Sequence, residues 1–334
     1  IIIDGLKKLE YRGYDSSGIA LVTKDHQLIV RKKKGRIANL EELIAGEDLY
    51  ANLGIGHTRW ATHGAPSDVN AHPHTDMSGR IAVVHNGIVE NYLALKEWLI
   101  KEHNVVFKSE TDTEIIAQLI GVLYDGDIEE AVRKAVEKMQ GAYGIGVICR
   151  DEPDKMIAVR KDSPLIVGLG QGCNFIASDI PALLKYVRQI YLIENNEMVV
   201  LTANDVKIYN ADHEEVHRDV FNVTWDADAA EKEGYDHFML KEIHEQPKGI
   251  RDTLVRRMDE NGEIVLDGIK LTKEDIEGFN KVYIVACGTA YHAGLIGKFA
   301  IEKLAKISVE VDVASEFRYR DPFIDDKTLF IAIS

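Results

Sequence analysis

The sequence predicts an α+β chain in two parts: helices packed on two stacked, mostly antiparallel sheets, then the opening of a doubly wound α/β sheet. Three observations carry this. Between about residues 50 and 210 the amphipathic helical patterns bunch early and the strand patterns dominate late. The stretch WDADAAEKEGYD at 225–236 is acidic and poor in large apolar residues, as linkers are. After residue 280 the order becomes strand, tight turn, helix, strand, which starts a parallel sheet. The expected division is a first domain at 1–225, a linker at 226–240 and a partial second domain at 241–334. A length of 334 residues suits about two domains, and 46% apolar with 28% charged residues suits a globular chain with a core.

The elements follow in order. IIIDGLKKL opens the chain in helical period, and LIV at 28–30 alternates as a strand. IAVVH at 81–85 reads as a buried strand that NG at 86–87 breaks. A helix is predicted next, with Ile88, Tyr92, Leu95 and Leu99 on one face. In SETDTE at 109–114, Thr111 and Glu114 fit a capping box before an apolar helix. DIEEAVRKAVEKM forms a third helix, stopped at Gly141. AYGIGVIC, MIAVRK, PLIVGLG, NFIAS and IYLIE-NN-EMVVL then read as strands. FMLKEIHEQPKGIRDTLVRRM is a helix interrupted near Pro247. KVYIVA, YHAGLIGKFAIEKLA, ISVEVDVA and TLFIAIS give strand, helix, strand, strand. The chain starts in helical register without Met and stops on a strand pattern, and is expected to be a fragment cut at both ends.

A net charge of −15 argues against nucleic-acid and acidic-membrane partners, which need a basic face. The one basic run, RKKKGR at 31–36, reads as a solvated strand end. Cys149, Cys173 and Cys287 form no CxxC pair, and Cys149 and Cys287 end apolar runs as buried thiols would. This usage suits a cytoplasmic location. No apolar run has the length of a membrane span.

The densest chemistry lies in GHTRWATHGAPSDVNAHPH at 56–74, which holds four of the twelve histidines. Gly56, Gly64, Pro66 and Pro73 prevent a single helix, and the spacing lacks His-Glu-x-x-His, so a metal site is not expected. The histidines are expected to brace a rigid loop by hydrogen bonds to backbone. Arg59 is an obligate planar cation suited to gripping a carboxylate, with Thr62 as a hydroxyl donor. In HNG at 85–87, Asn86 offers an amide donor and Gly87 lets a ligand approach a backbone N–H; together these are the parts of an oxyanion hole. Asp112 is a carboxylate at a helix start. CGTA at 287–290 puts Gly288 and Thr289 at a helix N-terminus, where free N–H groups favour an anion.

LEYRGYDSSG (9–18), the 56–74 stretch, VVHNGIVEN (83–91) and SETDTE resemble the glutaminase domain of the glutamine–fructose-6-phosphate aminotransferase family. KEIHEQP (241–247) and ASEFRYR (314–320) extend the resemblance over nearly the whole chain. RWATHG and HNGI are shared more broadly with class II glutamine amidotransferases. The resemblance implies an αββα sandwich of the N-terminal-nucleophile type, followed by part of a sugar-isomerase (SIS) module. It implies that Arg59, Thr62 and the backbone at His63 hold the glutamine carboxylate. It pairs Asp112 with the α-ammonium and makes Asn86 and Gly87 the oxyanion hole. Trp60 becomes an ammonia gate and Arg12 a support behind the nucleophile. Gly288, Thr289 and Ser334 contact the sugar phosphate, with Ala290 standing where the family has a hydroxyl.

The family nucleophile is an N-terminal cysteine on a leading strand, which here would lie upstream of Ile1. This chain alone is therefore expected not to hydrolyse glutamine. The partners implied are glutamine and fructose 6-phosphate, with a homodimer of the full-length protein and no metal or organic cofactor. Two rivals remain: another class II amidotransferase feeding a different acceptor, against which the sequence after 236 argues, and a non-catalytic sugar-phosphate-binding protein, against which the glutamine pocket argues.

Overall fold

The computed structural model describes residues 1–61, 64–224, 235–255, 257, 258, 262, 264, 265, 268, 269 and 271–333. These fall into two compact units, Ile1–Asp236 and His237–Ser334. The expected linker lies largely outside the described residues, and its last three positions already belong to a helix.

In the first unit, α1 (Ile2–Leu9) leads into β1 (Ser16–Val22), β2 (Leu28–Lys34), α2 (Ile37–Ile44) and β3 (Leu53–Arg59). There follow β4 (His74–Thr75), β5 (Ile81–Val89), α3 (Tyr92–His103), α4 (Asp112–Leu123) and α5 (Ile128–Lys138). Nine strands complete the unit: β6 (Gly141–Cys149), β7 (Glu152–Lys161), β8 (Ile166–Leu169), β9 (Asn174–Ala177), β10 (Gln189–Leu192), β11 (Glu197–Leu201), β12 (Val206–Tyr209), β13 (Glu215–Val216) and β14 (Phe221–Asn222).

A seven-stranded antiparallel sheet has the order β13-β12-β11-β7-β6-β5-β4. Both of its faces are buried, so its central strands are apolar on both sides. On β5, Ile81 and Val83 face α3, α4 and α5, while Ala82 and Val84 face the other way. On β7, Ile157 and Val159 pair off against Met156 and Ala158 in the same manner. The second face packs on two smaller antiparallel sheets, β2-β1-β3 and β14-β10-β8-β9. Leu6 of α1 with Ile37 and Leu40 of α2 covers the first of these, and Leu183, Leu184 and Val187 cover the second. The result is the expected four-layer αββα sandwich. Each fully buried Ile or Leu contributes about 1.5–3 kcal/mol to holding the layers together.

Three local readings are corrected. NG does not end the strand: β5 runs on to Val89, with Asn86 opposite Gly144 and Gly87 opposite Tyr143 on β6. The strand accommodates this because Gly87 takes φ +126°, where a Cβ would stand 2.0 Å from the Ala142 carbonyl oxygen. Ile88 therefore belongs to the strand, and α3 buries only Leu95 and Leu99. Gly141 is not a helix cap, since α5 ends at Lys138 and Gly141 opens β6, packed against the Ile88 carbonyl.

In the second unit, α6 (Phe238–Val255) and α7 (Lys273–Gly278) precede β15 (Lys281–Ala286), α8 (Gly288–Leu304), β16 (Ser308–Val313), α9 (Ala314–Phe317) and β17 (Thr328–Ile333). The sheet is parallel, in the order β16-β15-β17, with a core of Val282, Ile284 and Val309. α6 runs through Pro247 without the expected interruption. Proline removes the bond that the Ile243 carbonyl would accept, and Ile243 is exposed, so water can take that place.

Candidate active site

Strand alternation aims the site. On β5, His85 shares the parity of Ile81 and Val83 and points toward α4, where its Nδ1 lies 2.9 Å from Thr113 Oγ1. Asn86 shares the parity of Ala82 and Val84 and points between the sheets. There β3, β5 and the start of α4 enclose a cleft of about 410 Å³ whose lining includes Arg59, Asn86, Gly87 and Asp112.

Arg59 ends β3 and is 4% exposed. Its Nη2 donates to the Gly64 carbonyl at 3.0 Å, and its Nη1 lies 4.0 Å from Asp15. Burial works against its charge, and Asp15 and Asp112 support it. Asp15 also accepts the Ala61 N–H and the Ser16 hydroxyl, so one carboxylate ties Arg59 to the root of the loop that follows it. Sequence reasoning missed Asp15, because Arg59 and Ala61 lie more than forty residues downstream.

The other end of the loop is strapped by β2. Asp68 accepts the Lys34 N–H at 2.7 Å and faces Lys33 Nζ at 3.1 Å, while Lys32 Nζ donates to the Val69 carbonyl at 2.9 Å. Arg31 reaches the other way, to both carboxylate oxygens of Glu47. The basic run stands at a strand end, as expected, with the Lys34 and Arg36 side chains exposed, and Lys32, Lys33 and the Lys34 N–H in addition anchor the loop. Asn70 fastens the loop to the α4 side by donating to the Ala65 carbonyl and accepting the Glu110 N–H.

Asp112 is the first residue of α4 and is 5% exposed. Its Oδ2 accepts the Val89 N–H at 3.0 Å and lies 4.0 Å from His85 Nδ1. Thr111 caps the helix by accepting the Glu114 N–H. Only half of the expected capping box forms, because the Glu114 carboxylate takes the N–H groups of Lys108 and Ser109 instead.

Asn86 Oδ1 lies 2.9 Å from His57 Nε2. The His57 ring packs 4.4 Å from that of His72, which is 5.1 Å from His74, and His74 Nε2 meets Thr111 Oγ1 at 3.0 Å. Burial lowers the pKa of His57 to about 4 and those of His72 and His74 well below the usual histidine value. Burial also lowers that of His85, against the pull of Asp112. The histidines are neutral and brace the loop and cleft wall, chiefly through side-chain partners.

Trp60 is 60% exposed at the cleft rim, with its ring edge-on to Tyr14 at 5.3 Å. Arg12 also lines the cleft and is held by Asp179 at 2.8 Å. Thr62 and His63 lie outside the described residues, as does Ser334. Cys149 is buried on the helix-facing side of β6, and Cys173 is exposed. Cys287 is exposed at the start of α8 rather than buried as expected. Among the described residues, no cysteine lines the cleft. In the second unit, Gly288 and Thr289 open α8 at the carboxyl end of β15, Gly288 at φ +56° with open space where a Cβ would lie.

The fold is that of a glutamine amidotransferase domain followed by part of a SIS domain: residues 57–185 match the first family and residues 276–334 the second. Over its whole length the chain is a relative of proteins named glutamine–fructose-6-phosphate aminotransferase (isomerizing). It is 59% identical to that of Clostridium tetani, 53% to that of Aquifex aeolicus and 48% to that of Thermus thermophilus, covering 55%, 55% and 54% of them. The chain thus spans about half the length of these relatives. Among solved structures, the glutamine phosphoribosylpyrophosphate amidotransferase of B. subtilis matches with a TM-score of 0.57 at 18% identity, over 92% of this chain and 62% of that one. That likeness shows the shared fold. No described helix is long and apolar enough to cross a membrane.

Proposed function

We propose that this chain is the glutamine-binding half, with the opening of the sugar-binding half, of an enzyme that converts fructose 6-phosphate and glutamine into glucosamine 6-phosphate and glutamate. The observation that carries this is the convergence of a buried cation, a buried anion and an amide donor on one cleft. Arg59 takes the α-carboxylate of glutamine with Thr62 and His63, and Asp112 takes the α-ammonium. Asn86 and the Gly87 N–H receive the oxyanion that forms when a thiolate attacks the carboxamide carbon. The C–N bond then breaks, ammonia leaves past Trp60, and water releases glutamate from the thioester. Arg12 supports the nucleophile's end of the cleft.

The nucleophile comes from a residue outside these 334, because the three cysteines stand elsewhere. The cleft suits its entry on an extended segment. Among the described residues β3 pairs only with β1 and β9 only with β8, and residues of both line the cleft. Their second edges can hydrogen-bond an added strand. In the second unit, Gly288, Thr289 and Ser334 bind the sugar phosphate. The full-length protein is cytoplasmic, homodimeric and free of nucleic-acid and membrane partners.

Full-length protein beginning at its nucleophilic cysteine should form glucosamine 6-phosphate from the two substrates. Glutamate release without sugar amination would favour another amidotransferase. Sugar-phosphate binding with no turnover of either substrate would favour a binding protein.

A further inference from the structure

We propose that His57 is a positioning residue that fixes the amide of Asn86 with its NH2 group toward the cleft. This rests on the glutaminase reading, in which that NH2 group stabilises the oxyanion.

An asparagine amide has two orientations with nearly the same shape, and only one presents a donor to substrate. The choice is made by what the other end of the amide meets. Here it meets His57 Nε2, at 2.9 Å. Were Nε2 the acceptor, the neutral ring would carry its proton on Nδ1. That atom is buried and has no hydrogen-bond partner among the described residues. A buried N–H without an acceptor is disfavoured more than a bare ring nitrogen. The ring therefore holds its proton on Nε2 and donates it to Asn86 Oδ1, which leaves both amide hydrogens of Asn86 for the cleft it lines. Burial keeps the ring neutral, with a pKa near 4, so this tautomer persists across the neutral range.

The position of His57 is itself fixed. It lies on β3 opposite Gly18 of β1, and the His72 ring packs against it at 4.4 Å. Gly18 is required there, since a Cβ would stand 2.2 Å from the His72 carbonyl oxygen. The β-ladder and the neighbouring ring together leave the imidazole little freedom to turn away from Asn86.

Two measurements test this. Nitrogen-15 NMR of this chain with labelled histidine should show His57 as the Nε2–H tautomer at pH 7; an Nδ1–H tautomer or an imidazolium would overturn the assignment. In full-length protein, His57→Phe should lower kcat for glutamate release at least tenfold with KM within twofold of wild type. His57→Gln, whose amide can donate in place of the ring, should recover at least a third of wild-type kcat. A loss confined to KM, or a well-folded Gln variant no better than Phe, would also overturn it. If His57→Phe does not fold, the Gln variant and the tautomer decide. If wild-type protein releases no glutamate, the glutaminase reading fails and the tautomer alone judges His57.

Discussion

Asp15 faces Arg59 across 4.0 Å while it also accepts the N–H of Ala61, two residues further on. One carboxylate thus sets both the guanidinium and the start of the loop that follows it. Replacing it by Asn keeps the shape and removes the charge. We expect Asp15→Asn to raise KM for glutamine about tenfold with little change in kcat, since in the proposed site Arg59 holds the unreacting carboxylate. Steady-state glutamate release by the full-length protein checks this; an unchanged KM would separate Asp15 from substrate binding.

Asp112 accepts the Val89 N–H, and in the proposed glutamine site the same carboxylate pairs with the α-ammonium. Asn at this position can still accept the Val89 N–H but cannot pair with an ammonium. Asp112→Asn should therefore lower kcat/KM for glutamine by roughly 10²–10³, the cost of unpairing a buried charge. The thermal midpoint should move only a few degrees. A large fall in stability with normal kinetics would show that the bond to Val89 is its main task.

Gly87 sits at φ +126° with the Ala142 carbonyl where a side chain would begin. Gly87→Ala must shift β5 against β6, at about 1–3 kcal/mol of strain. Chemical denaturation should show that loss. Glutamate release should fall at least about a hundredfold, as expected when an oxyanion donor is displaced.

The buried histidines predict acid sensitivity of the first unit. Their folded pKa values lie below the unfolded value of 6.5, with His57 near 4. In that window the unfolded chain binds more protons, so stability is full above about pH 6.5 and falls as pH drops toward 4. Each histidine contributes at most about 1.4 kcal/mol per pH unit. Denaturation at a series of pH values should give a slope of more than one proton between pH 6 and 5. A flat profile would mean that the rings are hydrated.

The sandwich was legible because two-sided strands and one-sided helices leave different apolar periods, and the pattern between Ile81 and Leu201 follows them. Arg59, Asn86, Gly87 and Asp112, named from their chemistry and motif context, come together on one cleft. What escaped was set by tertiary contact. Asn86–Gly87 looks like a turn but is held in the strand by pairing with β6. Lys32 and Lys33 look solvated, but their ammonium groups reach a loop more than thirty residues away. Asp15 and His57 lie inside the motifs, but their partners Arg59, Ala61 and Asn86 are brought to them only by the folded sheets.

The central claim is that Arg59, Asp112, Asn86 and Gly87 form a glutamine site whose nucleophile lies outside this chain. Glutamate release from glutamine, measured for this chain and for the full-length protein side by side, tests it most directly. We expect no release by the 334 residues alone, release by the full-length protein, and loss of that release on Arg59→Ala. Glutamate production by this chain alone, or full activity in the Arg59→Ala protein, would contradict the claim.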